Sequence, residues 1–129
     1  MENGTLVGRK GLAMELGDIL KEAIAAGVAA REAKTAELKQ TTAREDRRDE
    51  DLCGWSWINI DTHTFEKLRG LSLTGVRVED YGDGVNPCRL YLEEVSNYHC
   101  LLASLVGLEA AATYIRSHGI KADQEGMVD

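Results

Sequence analysis

The stretch CGWSWINID, residues 53–61, holds both tryptophans of this chain, two positions apart. Successive side chains of a β-strand point to opposite faces of its sheet. If this stretch is a strand, Trp55 and Trp57 share one face, whereas Ile58 and Ile60 share the other. Burial of aliphatic side chains is favourable, whereas burial of unpaired charges is costly. In the other predicted strands, described below, the charged residues lie on the side opposite the aliphatic ones, so the aliphatic side must be the buried one. The isoleucines are therefore predicted to face the core, and the tryptophans to point away from it.

Two more segments, residues 73–81 and 88–94, show the same alternation and are predicted to be strands. Residues 81–87 are dense in turn-forming residues, which predicts a hairpin loop between them. The aliphatic side of these strands, with Val78 and Leu90, is expected to face the core. The opposite side shares its face with the tryptophans and carries Asn59, Asp61, Arg77, Tyr81, Arg89 and Tyr91.

A short helix is predicted at residues 62–70, directly after the first strand. Thr62 or Thr64 is expected to be its N-cap, because threonine oxygens accept hydrogen bonds from the first turn of a helix. Gly70 is expected to supply a left-handed exit.

The last predicted helix begins at Ser96, with Ser96 or Asn97 as the N-cap, and ends at Gly119. Residues 121–129 are charged and small and are predicted to be a disordered tail. One apolar stripe follows the helix and comprises Leu101, Leu105, Leu108, Ala112 and Ile115.

Residues 12–42 predict a long N-terminal helix, because their apolar residues recur at alternating steps of four and three. The second half of this stripe is alanine, which lets another helix approach closely, and the glycines at Gly17 and Gly27 are also compatible with a close backbone. We expect this helix to pair with its copy in another subunit; the alternative is that it folds back on its own domain. A charged connection, residues 43–52, follows it. The stripe comprises Leu12, Leu16, Ile19, Ala23, Ala26, Ala30 and Ala33.

The predicted fold is therefore a single α+β domain over residues 1–120, with a long N-terminal helix, an antiparallel sheet of about three strands, and a C-terminal helix packed on the sheet. The face with two tryptophans, two tyrosines and two arginines is too apolar to stay in water. Either the first helix lies across it and completes three layers, or a second subunit, a protein partner or a stacked base covers it.

The net charge limits the classes of partner that we expect, and the cysteine content limits the cellular compartment. The chain has 22 acidic and 15 basic residues and a net charge of −7. Nucleic acids and anionic membranes attract basic surfaces, so neither is expected as a direct partner. Three cysteines without the even spacing of a stapled secreted domain, and an N-terminus without a signal-peptide apolar core, predict a cytoplasmic protein.

Motifs that carry chemistry are missing from the sequence. The histidines and cysteines show no metal-site spacing, and no glycine-rich phosphate loop precedes a helix. His99 and Cys100 are neighbours on a predicted helix, about 100° apart, and cannot form a nucleophile–base pair. We therefore expect no metal, no cofactor and no enzymatic activity.

Binding is the remaining class of function. Arginines grip phosphate and stack on bases, and a helix N-terminus with Ser96 and Asn97 suits an anion. Each arginine also has a structural alternative, which is to pair with Glu79 or Glu93 across the strands or to complement the negative end of its helix. The arginines concerned are Arg31, Arg77, Arg89 and Arg116.

The layout resembles phage-encoded anti-Thoeris proteins, which sequester cyclic ADP-ribose isomers and related cyclic nucleotides. The similarity is one of element order and residue type over most of the chain: a long arginine-bearing first helix, a small antiparallel sheet, and a closing helix with its own arginine. It implies a phage anti-defence protein, a homo-oligomer that holds a signal nucleotide between subunits without cleaving it. Phosphate and ribose contacts would then come from Arg31, Asn97 and Arg116, and adenine stacking from Trp55, Trp57 or Tyr91.

The alternative function is an acidic inhibitor that docks on a nucleic-acid-binding protein complex, such as a CRISPR effector. Both functions predict a non-catalytic binding protein with a nucleotide-like ligand or a protein partner. The predicted ligand-binding residues are Arg31, Trp55, Trp57, Asn59, Arg89, Tyr91, Asn97 and Arg116.

Overall fold

The computed structural model describes residues 15–42, 53–80, 88–96 and 100–128. The predicted α+β fold, with a long N-terminal helix and a C-terminal helix packed on an antiparallel sheet, is confirmed. The charged connection at 43–52, the hairpin loop at 81–87 and Asn97 lie outside the described residues. The elements are α1 (Leu16–Thr42), β1 (Gly54–Ile60), α2 (Thr62–Arg69), β2 (Val76–Glu79), β3 (Cys88–Leu92), α3 (Leu101–Ser117) and β4 (Asp123–Val128).

Among the described residues the sheet has four antiparallel strands in the order β2-β3-β1-β4, one more than expected. The prediction of a disordered tail at 121–129 is wrong for residues 123–128, which form β4. This strand pairs along the length of β1, from Gly54 opposite Val128 to Asn59 opposite Asp123. Its ladder with β1 stabilises a segment whose own sequence, DQEGMV, has no apolar alternation.

Both long helices pack on the same face of the sheet. The core joins Leu20 and Ala23 of α1 to Ile58, Leu90 and the apolar side of α3, and all of these side chains are fully or almost fully buried. Ile58 and Leu90 therefore face the core as predicted. The three-layer alternative, in which the first helix covers the tryptophan face, is wrong.

The long helix folds back on its own domain and runs antiparallel to α3. Leu38 packs beside Ala103, near the start of α3, whereas Gly27 meets Gly107 further along it. The buried side of α1 only partly follows the predicted alanine stripe. Ala33, which belongs to the stripe, is exposed, whereas Gly27, which does not belong to it, is buried. Pairing of this helix with a second subunit stays a prediction.

Gly27 and Gly107 allow α1 and α3 to come into backbone contact. A Cβ at Gly27 would lie 2.8 Å from Val95 Cγ2 and 3.0 Å from the Gly107 carbonyl oxygen. A Cβ at Gly107 would lie 2.7 Å from the Gly27 carbonyl oxygen. A Cβ at either position would force neighbouring groups to shift, so glycine is favoured at both.

Three details at the helix ends differ from the sequence predictions. The N-cap of α2 is Asp61, whose carboxylate accepts a hydrogen bond of 2.8 Å from Thr64 N–H, and this bond holds the pKa of Asp61 below its usual value. Gly70 has a φ of −81°, so it is not a left-handed exit.

Helix α3 begins at Leu101, with Cys100 as the N-cap, rather than at Ser96. Gly119, with a φ of 80°, follows the end of α3 as predicted.

The replacement Gly27→Ala tests the close approach of the helices. The added methyl group must displace Val95 and a backbone carbonyl, and overpacking of this kind costs about 1–3 kcal/mol of unfolding free energy. Gly17→Ala is the matched control, because its Cβ would meet only Leu73 Cδ2 at 3.7 Å. The control should gain up to about 1 kcal/mol from helix propensity. Urea denaturation measures both, and equal stabilisation by the two replacements would contradict the packing.

Candidate functional site

The candidate site is the sheet face opposite α1 and α3, on which no described helix packs. We refer to it as the helix-free face. In each of the four strands, every second side chain lies on this face, and the side chains between them face the core. They are Arg77 and Glu79 of β2, Arg89 and Tyr91 of β3, Trp55, Trp57 and Asn59 of β1, and Asp123, Glu125 and Met127 of β4.

Arginines and aromatic rings alternate across the middle of the helix-free face. The Arg89 guanidinium lies over the Trp57 ring at 3.7 Å from its centroid, and that of Arg77 lies over the Tyr91 ring at 4.1 Å. The Trp57 and Tyr91 rings are 6.4 Å apart. Such contacts are cation–π interactions, which attract the guanidinium to the ring and shield the ring from water.

Hydrogen bonds tie these groups to both edges of the sheet. Trp57 Nε1 donates to Asn59 Oδ1 at 3.0 Å, and Asn59 Nδ2 donates to Glu125 Oε1 at 2.7 Å. On the other side Tyr91 Oη donates to Glu79 Oε1 at 3.2 Å. Arg89, which lies over the Trp57 ring and donates to Tyr91 Oη, joins these two sets of hydrogen bonds, so contacts within the chain hold both aromatic groups in place.

Arg77 also has a structural partner, since its Nη1 donates to Glu79 Oε2 at 2.5 Å. Arg77 therefore pairs with Glu79 along its own strand, β2, and not across two strands as predicted. Arg89 donates to Tyr91 Oη at 3.4 Å in addition to covering Trp57. Both guanidinium groups therefore lie over aromatic rings of their own face.

The two tryptophans differ sharply in exposure. Trp57 is 3% exposed, whereas Trp55 is 50% exposed. Trp55 lies directly opposite Met127 of β4, which is 54% exposed. The Trp55–Met127 pair is therefore a cross-strand apolar patch at one end of the helix-free face, beside the covered Trp57.

Two of the predicted ligand-binding arginines lie elsewhere and hold backbone segments together. Arg31 of α1 donates from Nη1 to the carbonyl oxygen of Glu94, in the turn after β3. Arg116 of α3 donates to the carbonyl oxygen of Ala122, just before β4, and to Glu109 Oε2 at 3.0 Å. The structure thus brings together Trp55, Trp57, Asn59, Arg89 and Tyr91, but neither Arg31 nor Arg116.

Groups that could support catalysis or hold a metal are few. Within the described ranges no cluster of histidine, cysteine and carboxylate side chains could hold a metal ion. All three cysteines are free thiols. Burial raises the pKa of the Cys88 thiol, and its hydrogen bond to Asp80 acts in the same direction, which disfavours the nucleophilic thiolate. Cys100 is buried against Leu38 and Ala103.

Comparisons with known families, curated proteins and solved structures gave no significant match. The resemblance to anti-Thoeris proteins therefore stays a prediction. Among the helices of the described segments, none is long and apolar enough to cross a membrane.

Sequence reasoning missed the contribution of β4 to the site. Glu125 and Met127 reach the helix-free face only because β4 pairs with β1. The available signal was weak: Glu125 and Met127 are two positions apart, and Met127 is an apolar residue within a polar tail. The covering of Trp57 by Arg89 was also missed, because it depends on which strands are neighbours.

Replacement of Arg89 should expose Trp57. In a Trp55→Phe background, where Trp57 is the single tryptophan, Arg89→Ala should shift the emission to longer wavelength and increase quenching by acrylamide. It should also cost about 1 kcal/mol of stability through loss of the cation–π contact. Arg77→Ala is the matched control, since Arg77 covers Tyr91 instead, and it should leave the emission unchanged. An unshifted emission in the Arg89 variant would contradict the covering role.

Proposed function

We propose that this chain is a non-catalytic binding protein that docks its helix-free face on a basic protein surface in the cytoplasm. The observation that carries this proposal is the half-exposed Trp55–Met127 pair on a face whose other aromatic groups are already fixed. Tryptophan, tyrosine, arginine and methionine are the residues enriched at protein interfaces, and a few of them usually supply most of the binding energy. Prearranged side chains lower the entropy cost of association.

Charge complementarity supports a basic partner. The net charge is −7, and the helix-free face carries three acidic side chains, Glu79, Asp123 and Glu125, against the two arginines that cover its aromatic rings. An acidic surface attracts basic surfaces and repels acidic ones, which raises the association rate with the correct partner. Nucleic-acid-binding proteins carry such basic surfaces, so a complex of the CRISPR effector type is a suitable target. The three free thiols are consistent with a reducing compartment.

Affinity capture followed by reconstitution tests this proposal. The wild-type chain is used to capture a partner from the cells in which it is naturally made, and the partner is then purified and titrated by calorimetry. Trp55→Ala should weaken binding by at least tenfold, because truncation of a central tryptophan costs about 2 kcal/mol or more. Leu71→Ala, at an apolar side chain that is 43% exposed elsewhere, is the control and should bind like wild type.

The salt dependence of the association rate provides a second readout. The rate should fall as salt rises, because salt screens the attraction between opposite charges. Equal binding by the Trp55 and Leu71 variants, or a partner that is itself strongly acidic, would contradict the proposal.

A second candidate is sequestration of a cyclic nucleotide signal, as the resemblance to phage anti-defence proteins implies. The half-exposed indole of Trp55 favours it, because bases stack on accessible aromatic rings. The phosphate would need a cationic partner, and the guanidinium groups of Arg31 and Arg116 already donate to backbone carbonyls. The arrangement of the arginines therefore favours a protein over a nucleotide.

Titration with cyclic ADP-ribose isomers separates the two candidates. A protein-docking module should show no change in melting temperature, whereas a sequestering protein should gain several kcal/mol of stability when the ligand greatly exceeds its dissociation constant. Chromatography after heat release should return any bound nucleotide unaltered. A large stabilisation that Trp55→Ala abolishes would replace protein docking by nucleotide binding as the function.

A further inference from the structure

The two edges of the sheet carry different charge on the helix-free face. At the β2 edge the two side chains on this face have opposite signs, and Arg77 Nη1 pairs with Glu79 Oε2 at 2.5 Å. At the β4 edge both charged side chains are acidic, Asp123 and Glu125, and both are exposed. Opposed like charges on neighbouring strands are destabilising, whereas opposite charges attract. The β4 edge therefore disfavours an acidic strand and favours a basic one.

The outer edge of β4 has no strand partner among the described residues, because β4 is the last strand of the sheet and pairs there with β1. In an antiparallel strand the N–H and C=O groups of every second residue point away from the neighbouring strand. Such groups along an edge can bind an extended peptide as an added strand. With six residues against the four of β2, β4 is the longer edge.

Both acidic side chains of β4 can still bind a cation. Asp123 is 70% exposed, and its ion pair with Arg116, at 3.7 Å between Nη1 and Oδ1, is longer than a hydrogen bond. Glu125 accepts a hydrogen bond through Oε1 from the neutral amide of Asn59. A carboxylate has two oxygens and about four acceptor positions. A lysine or arginine on an added strand could therefore pair with either carboxylate.

The third side chain of β4 on the helix-free face is apolar. Met127 is 54% exposed and lies directly opposite Trp55, which is 50% exposed. Directly opposed side chains of neighbouring strands share a face and contact each other. An apolar side chain placed opposite Met127 on an added strand would therefore extend the row from Trp55 through Met127 and remove apolar area from water.

We propose that β4 binds an extended segment of the protein partner as an additional antiparallel strand, with an apolar side chain opposite Met127 and basic side chains opposite Glu125 and Asp123. Antiparallel ladders are slightly more stable per residue than parallel ones. Read from its N-terminus, the segment is apolar, any residue, basic, any residue, basic. This inference rests on the proposed function and deepens it, since it names the part of the basic partner that docks.

A second copy of this chain is a poorer occupant of the same edge. Its β4 carries the same two acidic side chains, and each copy has a net charge of −7. The charges that attract a basic segment therefore repel the second copy.

Titration of the full chain with synthetic peptides tests the proposal. The peptide is Thr-Phe-Thr-Lys-Thr-Lys-Thr with blocked ends, because threonine and phenylalanine favour strands. It should bind about fivefold more tightly than the same peptide with glutamate in place of lysine, since attraction replaces repulsion at two cross-strand positions. The rearranged peptide Thr-Phe-Lys-Lys-Thr-Thr-Thr, in which the lysines point to opposite faces, should also bind more weakly. Equal affinity of the three peptides would overturn the proposal.

Backbone methylation separates strand addition from a contact made by side chains alone. One peptide carries N-methyl groups on the phenylalanine and both lysines, and a second carries them on the threonine that follows each of these residues. Because N–H groups alternate in direction along a strand, only one of the two sets faces β4. One methylated peptide should therefore lose binding while the other retains it. Equal affinity of the two, whether retained or lost, would overturn strand addition.

Charge reversal on the chain locates the site. Glu125→Lys should weaken binding of the lysine peptide about fivefold and strengthen that of the glutamate peptide. Glu22→Lys, on the exposed side of α1, changes the net charge equally and is the matched control, which should bind like wild type. Circular dichroism establishes that both variants are folded. Equal weakening by the two variants, or self-association through β4 that the peptide does not disrupt, would contradict the proposed site.

The captured partner distinguishes failure of the two proposals. A partner whose binding depends on Trp55, but which neither Glu125→Lys weakens nor the lysine peptide displaces, would overturn strand addition and leave the docking function standing. Peptide binding that depends on Glu125, with a captured partner that ignores Trp55→Ala, would overturn the docking function and leave strand addition at β4 standing.

Discussion

The backbone contact between α1 and α3 at Gly27 and Gly107 is the constraint on which the rest of the structure depends. It brings two helices to a distance at which a Cβ would force neighbouring groups to shift, with Val95 packed into the same contact. Because α3 lies on the aliphatic side of the sheet, this contact places α1 on that side too. Within the described residues, no helix therefore covers the aromatic side of the sheet, and the helices and the sheet form two layers.

The helix-free face is stabilised by its own groups at one end and exposed at the other. The guanidinium of Arg89 covers the Trp57 ring, and that of Arg77 covers the Tyr91 ring. These contacts shield a large aromatic area from water. Trp55 and Met127, at the other end, keep half of their surface in contact with water. The exposed apolar area of this face, whose burial would be favourable, therefore lies at this end.

The period of two in residues 53–61 was enough to predict which face each side chain of β1 occupies, because alternation in a strand is a local property. Strand β4 could not be predicted in this way, since DQEGMV becomes a strand through pairing with β1. The roles of Arg31 and Arg116 were equally hidden, because the carbonyls that they bind belong to segments distant in sequence or in irregular conformation. Gly17 and Gly27 were both recognised as possible close contacts, but only Gly27 meets another backbone, and its partner Gly107 depends on how α3 is placed.

The most direct measurement of the central claim is a nuclear Overhauser experiment on the isotope-labelled chain. With α1 and α3 in backbone contact on the aliphatic side, the α protons of Gly27 should show cross-peaks to those of Gly107. The Trp57 indole protons should show cross-peaks to Arg89 and Tyr91. Cross-peaks from the methyl groups of Leu20 or Ala23 to the Trp57 indole would place α1 on the opposite face and contradict the account.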